Sequence, residues 1–188
     1  MMIEMTIESI RVSLVNYQRV VMLKEKNTLR YLPIWIGSAE AQAIAIRLQE
    51  GIQVQRPMTH DLLATTIEVL GAKVEHVIVN DLKNDTFYAK ILLNVGGNQL
   101  EIDSRPSDAL ALAVRVEVPI YADESVLDKA GIVLERESEG SEVLESVDGT
   151  TDVTEKRKKT SEDEIKKMSA FRDFIDNLDL EDFDKRKS

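Results

Sequence analysis

The sequence predicts an α+β fold: an internally duplicated unit of three strands and two helices, with antiparallel sheet packed by helices. Three observations carry this. Residues LPIWIGSAEAQAIAIR (32–47) lie over LEIDSRPSDALALAVR (100–115), so that Leu32, Ile34, Glu40, Ala41, Ala43, Ala45 and Arg47 meet Leu100, Ile102, Asp108, Ala109, Ala111, Ala113 and Arg115. Upstream, IESIRV (7–12) lies over VEHVIV (74–79) with the register changed by one residue, as a difference in one hairpin loop would produce. Within each half, alternating β-branched stretches come first and apolar residues at helical spacing follow.

In the first half, strands are expected at residues 5–14, 19–25 and 29–36, with KEKNT as a hairpin turn. A helix at 38–49 follows from Ala41, Ile44, Ala45 and Leu48 at i, i+3, i+4 and i+7, with Gly51 as its stop. A second helix has Thr59 as N-cap, Leu63, Ile67 and Leu70 on one face, and Gly71 at its end. The second half predicts strands near 74–80, 86–93 and 99–103, turns at LKND and VGGN, a helix at 106–116, and a short helix near 124–130 closed by Gly131. The Ala41/Ala45 and Ala109/Ala113 faces allow close backbone approach, which is packing rather than chemistry.

Three regions result. Residues 1–135 form the duplicated domain. From 136 to 160 the chain is rich in Glu, Ser, Gly, Thr and Lys and too poor in apolar side chains to offset chain entropy, which predicts a disordered acidic linker. In residues 161–188, SEDE is a capping box with Ser161 at the N-cap and Glu164 at N3, and Ile165, Met168, Phe171, Ile175 and Leu178 stripe an amphipathic helix. A lone helix of that length is marginal in water, so it is expected to dock on its own oligomer or on a partner protein.

Composition narrows the function. There are 188 residues, 43% apolar and 31% charged, as in ordinary globular chains. No cysteine is present, which excludes disulfides, thiolate metal sites and Cys nucleophiles and suits a cytoplasmic protein. The start has no basic and apolar leader pattern, and no apolar run of about 18 residues exists to span a membrane. Net charge is −10: residues 1–136 carry 18 acids against 14 bases, and 137–188 carry 16 against 10. Such a balance gives no general attraction for phosphate backbones, so nucleic-acid contact needs a local basic group or a metal ion.

The repeat also sorts the candidate residues, because a feature needed only for folding should occur in both halves. Asp108 faces Glu40; with Pro106 at N1 it falls at N3, where a carboxylate can cap backbone N–H groups. Asp103 and Arg105 face the uncharged Trp35 and Gly37, which makes them the better functional candidates. Asp103, at a strand end, suits a divalent metal, with Asp108 as a second ligand. Arg105, just before a helix, suits a phosphate fork, the alternative being a surface pair with Asp103 or a bond to a neighbouring loop. His60 and Asp61 open a helix; neutral His suits a base or ligand, but adjacent helical residues point about 100° apart. His76, opposite Ser9 of the other copy, is structural in this reading. The run Lys156–Lys159 is a solvated basic stretch. No P-loop, dinucleotide fingerprint, HExxH pair or nucleophile elbow occurs, and no organic cofactor is implied.

The stretches YLPIWIGSAEAQAI (31–44), THDLL (59–63) and IDSRPSDALALA (102–113), in this order, resemble the bifunctional nuclease domain family over about residues 3–135. The tail FRDFIDNLDLEDF (171–183) is similar to the extension of many bacterial members. The resemblance implies a duplicated α+β domain, a homo-oligomer, and a nuclease taking DNA and RNA as transient substrates. The family's motif positions fall here on His60, Asp61, Asp103, Arg105, Pro106, Ser107 and Asp108. The expected chemistry is metal-assisted phosphodiester hydrolysis, with Mg or Mn at Asp103 with Asp108 or Asp61, Arg105 and Ser107 on a phosphate, and His60 or a metal-bound water as base. The alternative is a non-enzymatic oligomeric module that recognises a small anion or a partner protein, with residues 161–183 recruiting the partner.

Overall fold

The computed structural model describes residues 1–12, 17–49, 52 and 54–133. The chain divides into two units, Met1–Glu135 and Arg136–Ser188. The described residues all belong to the first; the expected linker and tail helix lie outside them.

The elements run β1 (Met2–Val12), β2 (Arg19–Glu25), β3 (Arg30–Ile36), α1 (Ser38–Leu48), α2 (Thr59–Val69), β4 (Ala72–Lys83), β5 (Thr86–Val95), β6 (Asn98–Ser104), α3 (Pro106–Val116), β7 (Ile120–Asp123), α4 (Glu124–Ala130) and β8 (Ile132–Val133). The fold is α+β: one eight-stranded sheet, in the order β6-β5-β4-β7-β1-β2-β3-β8, with the four helices packed on it. Two meanders, β1-β2-β3 and β4-β5-β6, make up most of it, joined through β7. Hairpin chemistry fixes the second meander. Asn84 and Asp85 both take positive φ (48° and 57°), as do Gly96 and Gly97 (58° and 89°), the two-residue turns that match strand twist.

Two expectations are corrected. The sheet is not wholly antiparallel, because β4 pairs with β7 in parallel, Val77 opposite Ile120 and Val79 opposite Ala122. Neither the four-residue β7, which follows Pro119 directly, nor the two-residue β8 is long enough to show a period-two signal. The first strand begins earlier than expected because Met2 to Met5 pair with Asp123 to Ile120 of β7. Both long first strands carry a bulge at corresponding places, beside Glu8 in β1 and beside Glu75 in β4.

Helix α3 is the centre of the packing. Ala109, Leu110, Ala111, Leu112 and Ala113 are all at most 1% exposed, so the helix is buried around its circumference. It lies on β4 and β5, and α1 and α2 both pack against it. Ala41, Ala109 and Ala113 sit buried in these contacts, and the absence of longer side chains lets the helices approach. This packing brings the first turns of α1, α2 and α3 together. Among the described residues no helix is long and apolar enough to cross a membrane.

Candidate active site

Strand β6 delivers the chain to α3 through Ser104, and Arg105 becomes the N-cap in extended conformation, φ −70° and ψ 146°. Pro106 at N1 enforces that conformation on the residue before it. The Arg105 side chain turns back over its own helix and forks onto Asp108, with Nε 2.7 Å from Oδ2 and Nη2 3.1 Å from Oδ1. The same Nη2 donates to Glu40 Oε1 of α1 at 2.8 Å. Glu40 and Asp108 both stand at N3 of their helices. One guanidinium therefore ties two helix starts together, with its two Nη1 N–H groups unpartnered among the described residues.

The third helix contributes His60. Its Nε2 lies 3.1 Å from Asp108 Oδ1, and the ring is buried. Burial alone would raise the Asp108 carboxyl pKa, but hydrogen bonds from Arg105 and His60, with their charges, outweigh it and hold the group below the ordinary carboxylate range. An ionised carboxylate only accepts hydrogen bonds, so the ring donates from Nε2 in this contact. Arg105 is held charged more firmly than usual, first by its bond to Asp108 and then by that to Glu40. Three positive helix ends surround two carboxylates and one guanidinium, an arrangement that offsets local negative charge.

Beside this cluster, Asp61 points to a second one. Its Oδ2 accepts the Met58 backbone N–H at 2.8 Å, which makes Met58 rather than Thr59 the N-cap of α2. Its Oδ1 accepts from Arg115 Nε at 2.7 Å, and Arg115 Nη1 donates to the Ala111 carbonyl at 2.7 Å. Burial raises the Asp61 pKa, but the Met58 and Arg115 hydrogen bonds and the charges of Arg115 and Arg47 lower it further, leaving it depressed.

Of the expected residues, His60, Arg105 and Asp108 come together, and Asp61 follows His60 in the chain. Asp103 does not join them. It is exposed on the edge strand β6 opposite Lys90, and its carboxylate has no hydrogen bond or ion pair among the described residues, so the surface pair with Arg105 does not form. Ser107 is buried at 6% exposure. Asp108 does not cap backbone N–H groups; its oxygens are taken by side chains. Among the described residues, no three His, Cys, Asp or Glu side chains gather to hold a metal ion. Sequence reasoning missed Glu40 and Arg115 as partners. The repeat held that signal, since it pairs Glu40 with Asp108 and Arg47 with Arg115, but a pairing by position does not say that one arginine reaches both acids. His76 packs edge-on against Tyr121, with ring centroids 5.3 Å apart.

The sequence profile described as bifunctional nuclease domain matches residues 21–135, from β2 through all four helices and the His60–Asp108 cluster. The chain belongs to the bifunctional nuclease domain family. An uncharacterized protein of Mycobacterium tuberculosis is 40% identical over 180 residues, 96% of this chain and 97% of the relative. Similarity to plant members is lower. Bifunctional nuclease 1 of Arabidopsis thaliana is 27% identical over 108 residues, 56% of this chain and 33% of that protein. Bifunctional nuclease 1 of Oryza sativa subsp. japonica is 25% identical over 119 residues, 62% of this chain and 36% of that protein. The bifunctional nuclease domain of this chain thus corresponds to about a third of each plant protein.

Proposed function

We propose that the protein hydrolyses phosphodiester bonds of DNA and RNA, with His60 as general base. The observation that carries this is the 3.1 Å contact of His60 Nε2 with Asp108 Oδ1, which joins two motif stretches 48 residues apart in a chain of this family. With Nε2–H given to Asp108, Nδ1 takes a proton from water as the water oxygen bonds to phosphorus and the bond to the leaving oxygen breaks; the leaving oxygen takes a proton from solvent, and His60 later returns its own to solvent. The Nη1 N–H groups of Arg105 face the charge that grows on the phosphoryl oxygens. A divalent cation at Asp103 and Asp108 lacks a converging ligand set among the described residues, so no step is assigned to it. The same proposal includes a cytoplasmic homo-oligomer.

A second reading has an observation of its own: Nε and Nη2 of Arg105 are already engaged by Asp108 and Glu40, as in a clamp between helix starts. Under it the domain is a non-catalytic binding module. The deciding experiment is cleavage of single-stranded DNA and RNA by the purified full chain in Mg²⁺, Mn²⁺ or EDTA, beside His60→Gln. Cleavage lowered at least about 100-fold by His60→Gln, with melting unchanged, supports the hydrolase. Cleavage by neither leaves the clamp, and equal cleavage by both overturns His60 as the base. Activity that disappears in EDTA would restore a metal to the mechanism.

A further inference from the structure

A cavity of about 190 Å³ opens between the last turn of α1 and the first turn of α2, with Arg115 of α3 in its wall. Its charged residues are Arg47, Asp61 and Arg115. Ile46, Ile52, Val54 and Met58 form an apolar wall. The Arg115 side chain is only 4% exposed, with Nε committed to Asp61 and Nη1 to the Ala111 carbonyl. Its Nη2 has no partner among the described residues. That leaves Nη2 as a guanidinium nitrogen with donors for a further acceptor.

Arg47 is exposed at the rim, and its side chain makes no hydrogen bond or ion pair among the described residues. The three residues carry a formal cationic excess of +1, whereas Glu40, Arg105 and Asp108 sum to −1. A neutral ligand would leave that excess unused. A cation would meet two arginines and one carboxylate already held by two donors. A tetrahedral oxyanion suits both Nη2 of Arg115 and the exposed guanidinium of Arg47, and 190 Å³ is roomy for one phosphate group with part of an organic carrier against the apolar wall.

We propose that this cavity binds the phosphate group of a nucleotide, with Arg115 Nη2 and Arg47 as its donors, Asp61 holding Arg115 in place, and the apolar wall taking the nucleoside. Asp61 follows His60 on α2, so the site lies on the neighbouring face of the same helical turn as the His60–Asp108 pair. The proposal stands apart from hydrolysis: binding is the same under either reading of function.

The test is calorimetric titration of the full chain, without nucleic acid, with AMP, inorganic phosphate and adenosine, repeated on Arg47→Gln. Arg47 is exposed and acts on Asp61 only through its charge, so this variant should fold as the parent does, its melting temperature being measured first. The expected result is AMP binding that weakens with salt, phosphate binding more weakly, adenosine not binding, and a loss of about tenfold in AMP affinity in Arg47→Gln. Absent AMP binding, unchanged affinity in the variant, or adenosine binding as well as AMP would overturn it. His60→Gln, which removes cleavage under the hydrolase reading, should leave AMP affinity unchanged, so failure of one proposal is visible separately from failure of the other.

Discussion

The starts of α1 and α3 invite comparison because they are the same device built from different residues. Gly37-Ser38-Ala39-Glu40 and Arg105-Pro106-Ser107-Asp108 both leave a strand through an extended N-cap and both carry a carboxylate at N3. Gly37 contributes only space, since a Cβ there would run into the Glu40 carboxylate. Arg105 contributes a cation that gathers both carboxylates, and only Asp108 then reaches on to His60. The lesson is that two similar scaffolds can share packing while the polar chemistry concentrates at one of them.

The largest expected effect removes the charge beneath the cluster. Asp61→Ala leaves Arg115 buried without its carboxylate and strips Met58 of its N–H acceptor, and should lower stability by about 3–5 kcal/mol in urea unfolding. Next, Leu112→Ala opens a cavity in α3, where the side chain is fully buried, and should cost about 2–5 kcal/mol, while Ile44→Val at the α1 counterpart should cost about 1 kcal/mol. Smaller again is Arg105→Ala, which leaves Glu40 and Asp108 without their shared cation. Because the arginine is 66% exposed, the loss should be about 1 kcal/mol, and Arg105→Lys, which cannot fork, should recover only part of it.

Acid sharpens the comparison further. The pKa values of Asp61 and Asp108 are depressed in the fold, so their contribution is present above the ordinary carboxylate value of about 3.9 and is lost as pH falls through the lowered folded value. Unfolding free energy measured from pH 6 downward should therefore fall below about pH 4, and the Asp108→Asn variant should lose less over that window than the parent. An identical acid limb in both would contradict the assigned ionisation of Asp108.

Much of the fold was legible because period-two strands, Gly-Gly and Asn-Asp turns and Ala-rich helices are local signals. Residues 19–25 show it well, since the expected strand is β2. The β4–β7 pairing was not legible: it joins residues about 40 positions apart through a strand of four, and such pairing is decided by packing rather than by pattern. At the site, the asymmetry between halves flagged both Asp103 and Arg105, but only Arg105 became a hub. Position alone could not separate them, because strand pairing opposite Lys90 leaves Asp103 on the exposed edge while the turn at Pro106 aims Arg105 back onto α3. Glu40 was passed over because a helix-start acid is so often only a helix-start acid.

The measurement closest to the central claim sets Asp108→Asn against Glu40→Gln in cleavage of single-stranded RNA, each variant first shown to melt with the parent. Both acids touch Arg105, but only Asp108 orients His60. The account predicts that Asp108→Asn loses about 100-fold or more in kcat while Glu40→Gln stays within about tenfold of the parent. Equal losses in the two variants, or none in Asp108→Asn, would contradict it.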